Sequence, residues 1–252
     1  MGVFERLMRI RDDAGAGFLL LLDPDSTSDK VLTEVAANAE KCGVDAILAG
    51  SSFVTSAVFN QRMAAIKAAT RLPVIIFPGG SGQVSKHADA ILFTSLISGR
   101  NPNYLIEEQV RGAPLVQSYG LEAIPTGYML IESGNMTSVQ YISGTQPIPR
   151  DKIDIAMAHA LAARYMGMKM IYLEAGSGAK LPVPEDMISQ VADYCRLPLI
   201  VGGGIRRPEE AAARVRAGAS FIVVGTQLEQ NVDFDYMTEM VEAVHCGVRS
   251  PV

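Results

Sequence analysis

The segment Met170-Ile-Tyr-Leu-Glu-Ala-Gly-Ser-Gly178 decides how the rest of the chain is interpreted. A near-continuous apolar run of this length is typical of a parallel strand that is buried on both faces. The run ends on an acidic residue, Glu174, and glycines follow closely. A carboxylate at the C-terminal end of a parallel strand lies where an α/β barrel places its chemistry. We therefore interpret Glu174 as a functional residue, although pairing with a nearby cation would explain it equally well when it is taken alone.

Similar apolar runs recur along the chain and alternate with segments of helical periodicity, a pattern that predicts βα units and a parallel sheet. Eight strands are expected, which is the number in a closed (β/α)8 TIM barrel, so the sequence predicts a single TIM-barrel domain over residues 1–252. A helix near residues 4–11 is expected to close the bottom of the barrel. The predicted strands cover residues 17–22, 46–49, 74–77, 90–94, 123–131, 169–174, 199–201 and 221–224.

The connection after the third predicted strand, residues 78–89, is rich in glycine and has no amphipathic period. A parallel crossover normally contains a helix. We therefore predict a modified barrel in which the outer helix after strand 3 is missing or replaced by a non-helical segment. This flank would then carry an apolar surface groove. A tight loop with one short helical turn is the alternative.

Two glycine-rich loops follow the last two predicted strands, Val201-Gly-Gly-Gly-Ile-Arg206 and Val224-Gly-Thr226. In TIM barrels these loops commonly bind phosphate, because glycine lets backbone N–H groups approach an anion and a helix N-terminus adds a favourable dipole. The pattern predicts a phosphate site but no particular reaction, since isomerases, lyases and synthases share it. The predicted phosphate ligands are Gly203, Gly204, Gly225 and Thr226, with the hydroxyl of Ser177.

Oxygen ligands follow the first two predicted strands, in Leu22-Asp-Pro-Asp25 and Ala49-Gly-Ser-Ser52. Mg2+ prefers a few protein oxygens together with water and substrate phosphates. Asp23 and Ser52 are therefore the predicted metal ligands, with Asp25 as a second candidate. Capping of the following helix is the alternative, and we favour it for Asp25.

Composition narrows the class of protein. The net charge is −5, no basic block occurs, and tryptophan is absent from the 252 residues, so a nucleic-acid partner is not expected. The three cysteines, Cys42, Cys195 and Cys246, lack metal-binding spacing and are expected to be reduced, buried thiols. No apolar run is long enough to span a bilayer. We expect a cytoplasmic protein and leave contact with a membrane surface open.

Taken together, these loops resemble the geranylgeranylglyceryl phosphate synthase family, including its heptaprenylglyceryl phosphate synthase relatives. The heptapeptide at 172–178 is the most specific of the motifs and is similar to the branch that carries this longer loop, rather than Tyr-x-Glu-Tyr-Ser-Gly. The resemblance covers nearly the whole chain in order, through Leu22-Asp-Pro-Asp25, Ala49-Gly-Ser-Ser52, Phe77-Pro-Gly-Gly80, Asn101-Pro-Asn-Tyr104, Pro125-Thr-Gly-Tyr128, Tyr172-Leu-Glu-Ala-Gly-Ser-Gly178, Gly202-Gly-Gly-Ile205 and Gly225-Thr226.

The resemblance implies a modified barrel that joins the 3-hydroxyl of sn-glycerol 1-phosphate to a prenyl diphosphate, with Mg2+ and release of diphosphate, in ether-lipid biosynthesis. Geranylgeranyl diphosphate is the expected donor. Glu174 and Tyr172 would be the catalytic residues, Asp23 and Ser52 the metal ligands, and Tyr104 would bound the far end of the prenyl groove. Glycerol 1-phosphate would be held by Tyr172, Leu173, Glu174, Ala175, Gly176, Ser177, Gly178, Gly203, Gly204, Gly225 and Thr226.

The chain departs from the family pattern near the first strand. Leu21 and Leu22 replace a lysine that some relatives carry, and Ser26 occupies the position after Asp-Pro-Asp where the family often has a lysine or arginine. Diphosphate binding must therefore depend more on Mg2+ and backbone groups. Another phosphate-binding barrel isomerase or lyase and a non-catalytic phosphate- or lipid-binding module remain alternatives. A homo-oligomer is expected because the flank without a helix exposes apolar surface.

Overall fold

In the computed structural model, which describes residues 1–25, 28–51, 58–225 and 232–247, the strands form one closed parallel barrel. Each strand pairs with the next one in sequence, and the last pairs with the first in parallel register. The predicted TIM barrel and all of its strands are confirmed, with ends that shift by a few residues at most. The strands are β1 (Gly17–Leu22), β2 (Ala46–Ala49), β3 (Val74–Ile76), β4 (Ala90–Leu96), β5 (Glu122–Leu130), β6 (Met170–Glu174), β7 (Leu199–Gly202) and β8 (Phe221–Val224).

The helices begin and end at residues that suit those positions. The Ser28 side chain accepts a hydrogen bond from Val31 N, and Pro208 occupies the first turn of its helix. Gly218 ends that helix with a φ of 118°, a conformation that L side chains rarely adopt. The helices are α1 (Val3–Ala14), α2 (Asp29–Ala39), α3 (Phe59–Ala69), α4 (Glu108–Ser118) after a π-helical turn (Asn103–Glu107), α5 (Ser138–Ser143), α6 (Ile153–Tyr165), α7 (Glu185–Cys195), α8 (Pro208–Ala217) and α9 (Phe234–His245).

The buried side chains form two layers, one inside the barrel and one between the sheet and the helices. Because successive residues of a strand face opposite sides, Tyr172 of β6 points into the barrel while Ile171 and Leu173 pack under the helices. Leu7 of α1 is fully buried in the interior layer, and Glu122 at the start of β5 accepts a hydrogen bond from Phe4 N at 3.1 Å. Helix α1 therefore closes the N-terminal end of the barrel, as predicted.

The connection from β3 to β4, residues 77–89, contains no helix, which confirms the predicted modification of the barrel. The outward-facing side chains of β4 in this region, Ile91 and Phe93, line a cavity between β4 and α4. The segment is held by polar side chains at its middle and at its C-terminal end. Gln83 bonds to the loop after β2, and Asp89 accepts from Val74 N at 2.8 Å and from Lys67 Nζ at 2.6 Å.

Two cysteines, Cys42 and Cys195, are buried as predicted, but the prediction is wrong for Cys246, which is exposed. Cys246 is the C-cap residue of α9, and within the described part of the chain its side chain is left exposed there. Within the described residues, no helix has the length and apolar character needed to cross a bilayer.

Candidate functional site

A cavity of about 710 Å³ opens at the C-terminal ends of the strands. One end lies among glycines after β6, β7 and β8, including Gly176, Gly203 and Gly225. The other end reaches the flank that lacks a helix, where Val84 and Phe93 line it. The predicted phosphate loops and the predicted apolar groove therefore belong to one continuous space.

Glu174 lies between these two ends, at the last position of β6, and only 6% of its surface is exposed. Burial raises the pKa of its carboxyl to about 7, while the hydrogen bond from Gly176 N, at 2.5 Å, and the nearby hydroxyl of Tyr172 oppose this rise. The Tyr172 hydroxyl lies beside the carboxylate, but its geometry falls short of a full hydrogen bond, and no other described residue pairs with it. A carboxyl of this kind exchanges its proton near neutral pH, which suits a general base.

Three aromatic rings surround the carboxylate on the barrel side. The rings of Phe77 and Tyr172 stack with centroids 4.9 Å apart, and the Tyr128 ring meets both of them edge to face at 5.7 and 5.4 Å. Burial and the nearby Glu174 raise the pKa of both tyrosines, so their hydroxyls stay protonated. Tyr128 and Phe77 belong to two of the sequence motifs, but no role was predicted for them, because only the fold brings them to the site.

The glycines of the predicted phosphate loops are required by close packing. Gly203 has a φ of 84°, and a Cβ placed there would lie 2.4 Å from Glu174 Oε1 and 2.6 Å from Gly176 N. A Cβ at Gly176 would lie 2.6 Å from Thr137. Among the described residues, no acceptor pairs with the N–H groups of Gly203 and Gly204, so both are available to an anion. The loops therefore form a backbone cradle beside the carboxylate.

The loop after β6 is held in place by side chains from distant elements. Arg150 Nη1 donates to Pro182 O at 2.8 Å, Arg206 Nη2 donates to Ala179 O at 2.6 Å, and Asn135 Oδ1 accepts from Lys180 N at 2.8 Å. These residues were not predicted from the sequence as site residues. Arg206 also lines the cavity, and within the described residues it is the only lysine, arginine or histidine that does so.

Asp23 lines the cavity directly after β1, and one of its oxygens accepts a hydrogen bond from Asp25 N at 2.8 Å. This hydrogen bond forms a local turn and not a helix cap, because Ser28 is the N-cap of α2, so the capping alternative, which we favoured for Asp25, is wrong. Asp25 is not among the described residues that line this space. No described group of three or more acidic, histidine or cysteine side chains is arranged to hold a metal by itself.

The structure places most of the predicted substrate ligands around the cavity, but not all of them. Leu173 and Ala175 are fully buried in the layer between sheet and helices, because they alternate with the inward-facing Tyr172 and Glu174. Only their backbone is close to the loop. Thr226 and Ser52, predicted as a phosphate ligand and a metal ligand, lie outside the described residues. The predicted substrate ligands that line the cavity are Tyr172, Glu174, Gly176, Ser177, Gly178, Gly203, Gly204 and Gly225.

The apolar end of the cavity lies between β4 and α4. Ile91 and Phe93 form its floor, and Gly112 and Val116 of α4 face them. Tyr104, which we predicted at the far end of the groove, lines the cavity and donates from its hydroxyl to Ile142 O at 3.4 Å. An extended apolar chain could lie here with its polar end at the mouth of the barrel.

Comparison with known proteins agrees with this geometry. Residues 8–245 match the PcrB family. A geranylgeranylglyceryl phosphate synthase from Chitinophaga pinensis is 46% identical over 230 residues, which are 91% of this chain and 90% of the relative. One of the same name from Thermococcus kodakarensis is 46% identical over 231 residues, 91% of each chain.

A solved structure is also closely similar. The crystal structure of (S)-3-O-geranylgeranylglyceryl phosphate synthase from Thermoplasma acidophilum, in complex with its substrate sn-glycerol-1-phosphate, has a TM-score of 0.92 and 37% identity. The match covers 97% of this chain and 99% of that one. Thiamine phosphate pyrophosphorylase from Pyrococcus furiosus, with a TM-score of 0.59 and 11% identity, shares the fold alone. The chain therefore belongs to the PcrB family, and it is an enzyme of the prenyltransferase class.

Proposed function

We propose that the chain transfers a prenyl group from a prenyl diphosphate to the 3-hydroxyl of sn-glycerol 1-phosphate, with Mg2+, in ether-lipid biosynthesis. Geranylgeranyl diphosphate is the expected donor. The observation that carries the proposal is the continuity of one cavity. It joins a backbone anion cradle, a buried carboxyl with a pKa of about 7 and an apolar groove. The cradle would hold the acceptor phosphate, the carboxyl would accept the proton, and the groove would hold the prenyl chain.

The acceptor phosphate is assigned to the cradle at Gly203 and Gly204, whose N–H groups pair with no acceptor in the described part of the chain. Glycerol is short, so a phosphate held there keeps the 3-hydroxyl close to Glu174, whose carboxylate lies beside Gly203. The Tyr172 hydroxyl has no full hydrogen bond within the described residues and is available to the glycerol backbone. Fixing the hydroxyl in this way supplies much of the rate by orientation.

The chemical step follows from this placement. The 3-hydroxyl oxygen attacks C1 of the prenyl group, the bond between C1 and the diphosphate oxygen breaks, and the hydroxyl proton passes to Glu174. Positive charge that develops at C1 would lie near the π faces of Phe77 and Tyr128. The surrounding rings also exclude water that would otherwise intercept the reactive carbon.

The donor is assigned to the opposite end. Its apolar chain would lie over Ile91 and Phe93, and each buried CH2 group contributes about 0.8 kcal/mol, so the groove supplies much of the affinity. The described lining carries the carboxylates of Asp23, Glu108 and Glu174 but a single guanidinium, that of Arg206. A diphosphate in such surroundings needs further positive charge. Asp23 fits Mg2+ in this role, because that ion is typically held by one or two carboxylates plus phosphate oxygens, and it would stabilise the leaving diphosphate.

The test is product formation by the purified chain from labelled sn-glycerol 1-phosphate, Mg2+ and prenyl diphosphates of increasing length. We expect a prenylglyceryl phosphate with geranylgeranyl diphosphate and little product from sn-glycerol 3-phosphate, the enantiomer. Binding of the substrates without product would support a non-catalytic module. Failure to bind either substrate would support another phosphate-binding barrel enzyme.

A matched pair of variants tests the base. Glu174→Gln should retain binding of glycerol 1-phosphate and lose most turnover. Glu132→Gln is the control, because Glu132 follows the neighbouring strand β5 and is not among the described residues lining the cavity. Turnover by Glu174→Gln within a few-fold of the unmodified chain would exclude Glu174 as the base.

Self-association and contact with a membrane surface stay predictions. Helix α4 and the turn before it carry exposed apolar side chains, with Ile106 at 55% and Val110 at 60% exposure. Mass measurement in solution tests the first prediction, and sedimentation with lipid vesicles tests the second.

A further inference from the structure

The segment that replaces the missing helix contacts the loop after β2 through a buried glutamine. Gln83 is 4% exposed, and its Nε2 donates to Ser51 O at 2.7 Å while its Oε1 accepts from Ser51 N at 3.2 Å. One carboxamide therefore pairs with both main-chain groups of one residue. This pair of hydrogen bonds resembles the pair that a neighbouring β-strand would make to the main chain of Ser51.

A second contact joins the residues after β2 to the residues after β3. A Cβ at Gly50 would lie 1.8 Å from Phe77 O, so the backbone after β2 packs directly on the backbone after β3. Gln83 fixes the next residue along, Ser51. Both Gly50 and Ser51 line the cavity opposite the glycine cradle.

The segment is anchored from its other side as well. Ser81 N donates to the Glu108 carboxylate of α4, which also binds Asn103 Nδ2 at 3.2 Å and Arg111 Nη1 at 3.1 Å. Burial acts to raise the pKa of Glu108, but the hydrogen bonds from Ser81 and Asn103 and the charge of Arg111 together lower it, so Glu108 remains an anion. The segment therefore bridges α4, which lines the apolar groove, and residues 50–51 after β2.

We propose that Gln83 is a positioning residue for the diphosphate end of the cavity. It acts by holding the main chain of Ser51 at a fixed distance from Asp23. The inference rests on the proposed function, since it assigns the space between Asp23 and Ser51 to the diphosphate. The glycerol phosphate end is built from other strands and does not depend on Gln83.

The test compares Gln83→Glu, Gln83→Leu and the control Ser85→Ala in the full chain. The carboxylate of Gln83→Glu keeps an acceptor for Ser51 N but has no donor for Ser51 O, and it places negative charge against that carbonyl. Gln83→Leu removes both bonds. Ser85 is fully buried in the same segment and donates to Asn60 Oδ1 at 2.7 Å, so Ser85→Ala removes a buried hydrogen bond without touching the loop after β2.

The readouts are the Kd of inorganic diphosphate with Mg2+ and the Kd of glycerol 1-phosphate, both by calorimetry, with the thermal midpoint as a check on folding. We expect both Gln83 variants to weaken diphosphate binding by about tenfold, the effect of roughly one lost hydrogen bond, and to leave glycerol 1-phosphate binding within about twofold. Ser85→Ala should leave both constants unchanged. If Gln83→Leu does not fold, Gln83→Glu alone decides.

Equal weakening of both ligands, or the same pattern in Ser85→Ala, would overturn the proposal, because either result indicates general loosening of the fold. Unchanged diphosphate binding in Gln83→Glu would also overturn it. These constants do not depend on turnover. A chain that forms no prenylglyceryl phosphate would therefore refute the proposed function without deciding the role of Gln83.

Discussion

Replacing Glu174 by glutamine should make the protein more stable at alkaline pH while it removes the proposed base. On folding, burial raises the pKa of this carboxyl from 4.5 to about 7. Stability from such a group is present in full below the lower value and is lost as the pH rises through the higher one. Since each pH unit between them contributes about 1.4 kcal/mol, the ionised carboxylate destabilises the fold by about 3 kcal/mol above pH 7. Glutamine keeps the shape and the acceptor for Gly176 N but carries no charge.

The assay is urea unfolding of the unmodified chain and of Glu174→Gln between about pH 4 and about pH 8.5. We expect the two free energies of unfolding to be similar at the acidic end and to differ by about 3 kcal/mol, in favour of the variant, at the alkaline end. Glu132→Gln serves again as the control, because its side chain is partly exposed. A difference that does not change with pH would refute the argument, since it would mean that folding does not alter the ionisation of Glu174.

Three further predictions concern other parts of the molecule. Gly203→Ala should lower the free energy of unfolding by about 1–3 kcal/mol and abolish glycerol 1-phosphate binding, because Gly203 has a positive φ and an added Cβ would meet Glu174. Gly82→Ala is the control and should change neither, because a Cβ at Gly82 would meet nothing within 4 Å. Asp23→Ala should raise the Mg2+ concentration needed for half-maximal turnover steeply, and an unchanged magnesium titration would exclude it as a ligand. His245→Ala should destabilise the fold by about 1 kcal/mol at mildly acidic pH, since the Asp45 side chain, 2.9 Å away, raises the pKa of His245. This cost should be full below about pH 6.5 and shrink as the pH rises through the raised pKa, which unfolding curves at several pH values would show.

The strands were predictable because a parallel barrel buries both faces of each strand and so leaves an uninterrupted apolar run in the sequence. The missing helix was predictable for a similar reason, since residues 78–89 contain too little periodic apolar surface to pack on the sheet. The alternation within β6 was equally available. It assigns Tyr172 and Glu174 to one face and Leu173 to the other, and including Leu173 among the ligands ignored that periodicity.

Contacts between distant parts of the chain were not predictable. Arg150, Arg206 and Asn135 look like ordinary surface residues in sequence, and only the closed barrel shows that they fix the loop after β6. Gln83 likewise lies in a glycine-rich segment that carries no signal of a buried amide. The pKa of Glu174 also depends on its burial in the folded barrel. The rings beside it come from three different places in the chain: Tyr128 from β5, Tyr172 from β6 and Phe77 from the position directly after β3.

The strict alternation of β6 restricts how genes of this kind can change length. Inserting or deleting a single codon within Met170–Glu174 would exchange the two faces of the strand. The Glu174 carboxylate would then face the apolar layer beneath the helices, and a leucine side chain would occupy its place at the mouth of the barrel. Insertions and deletions tolerated during divergence are therefore expected only in connections on the outer surface, and a laboratory library of single-codon indels would measure that restriction directly.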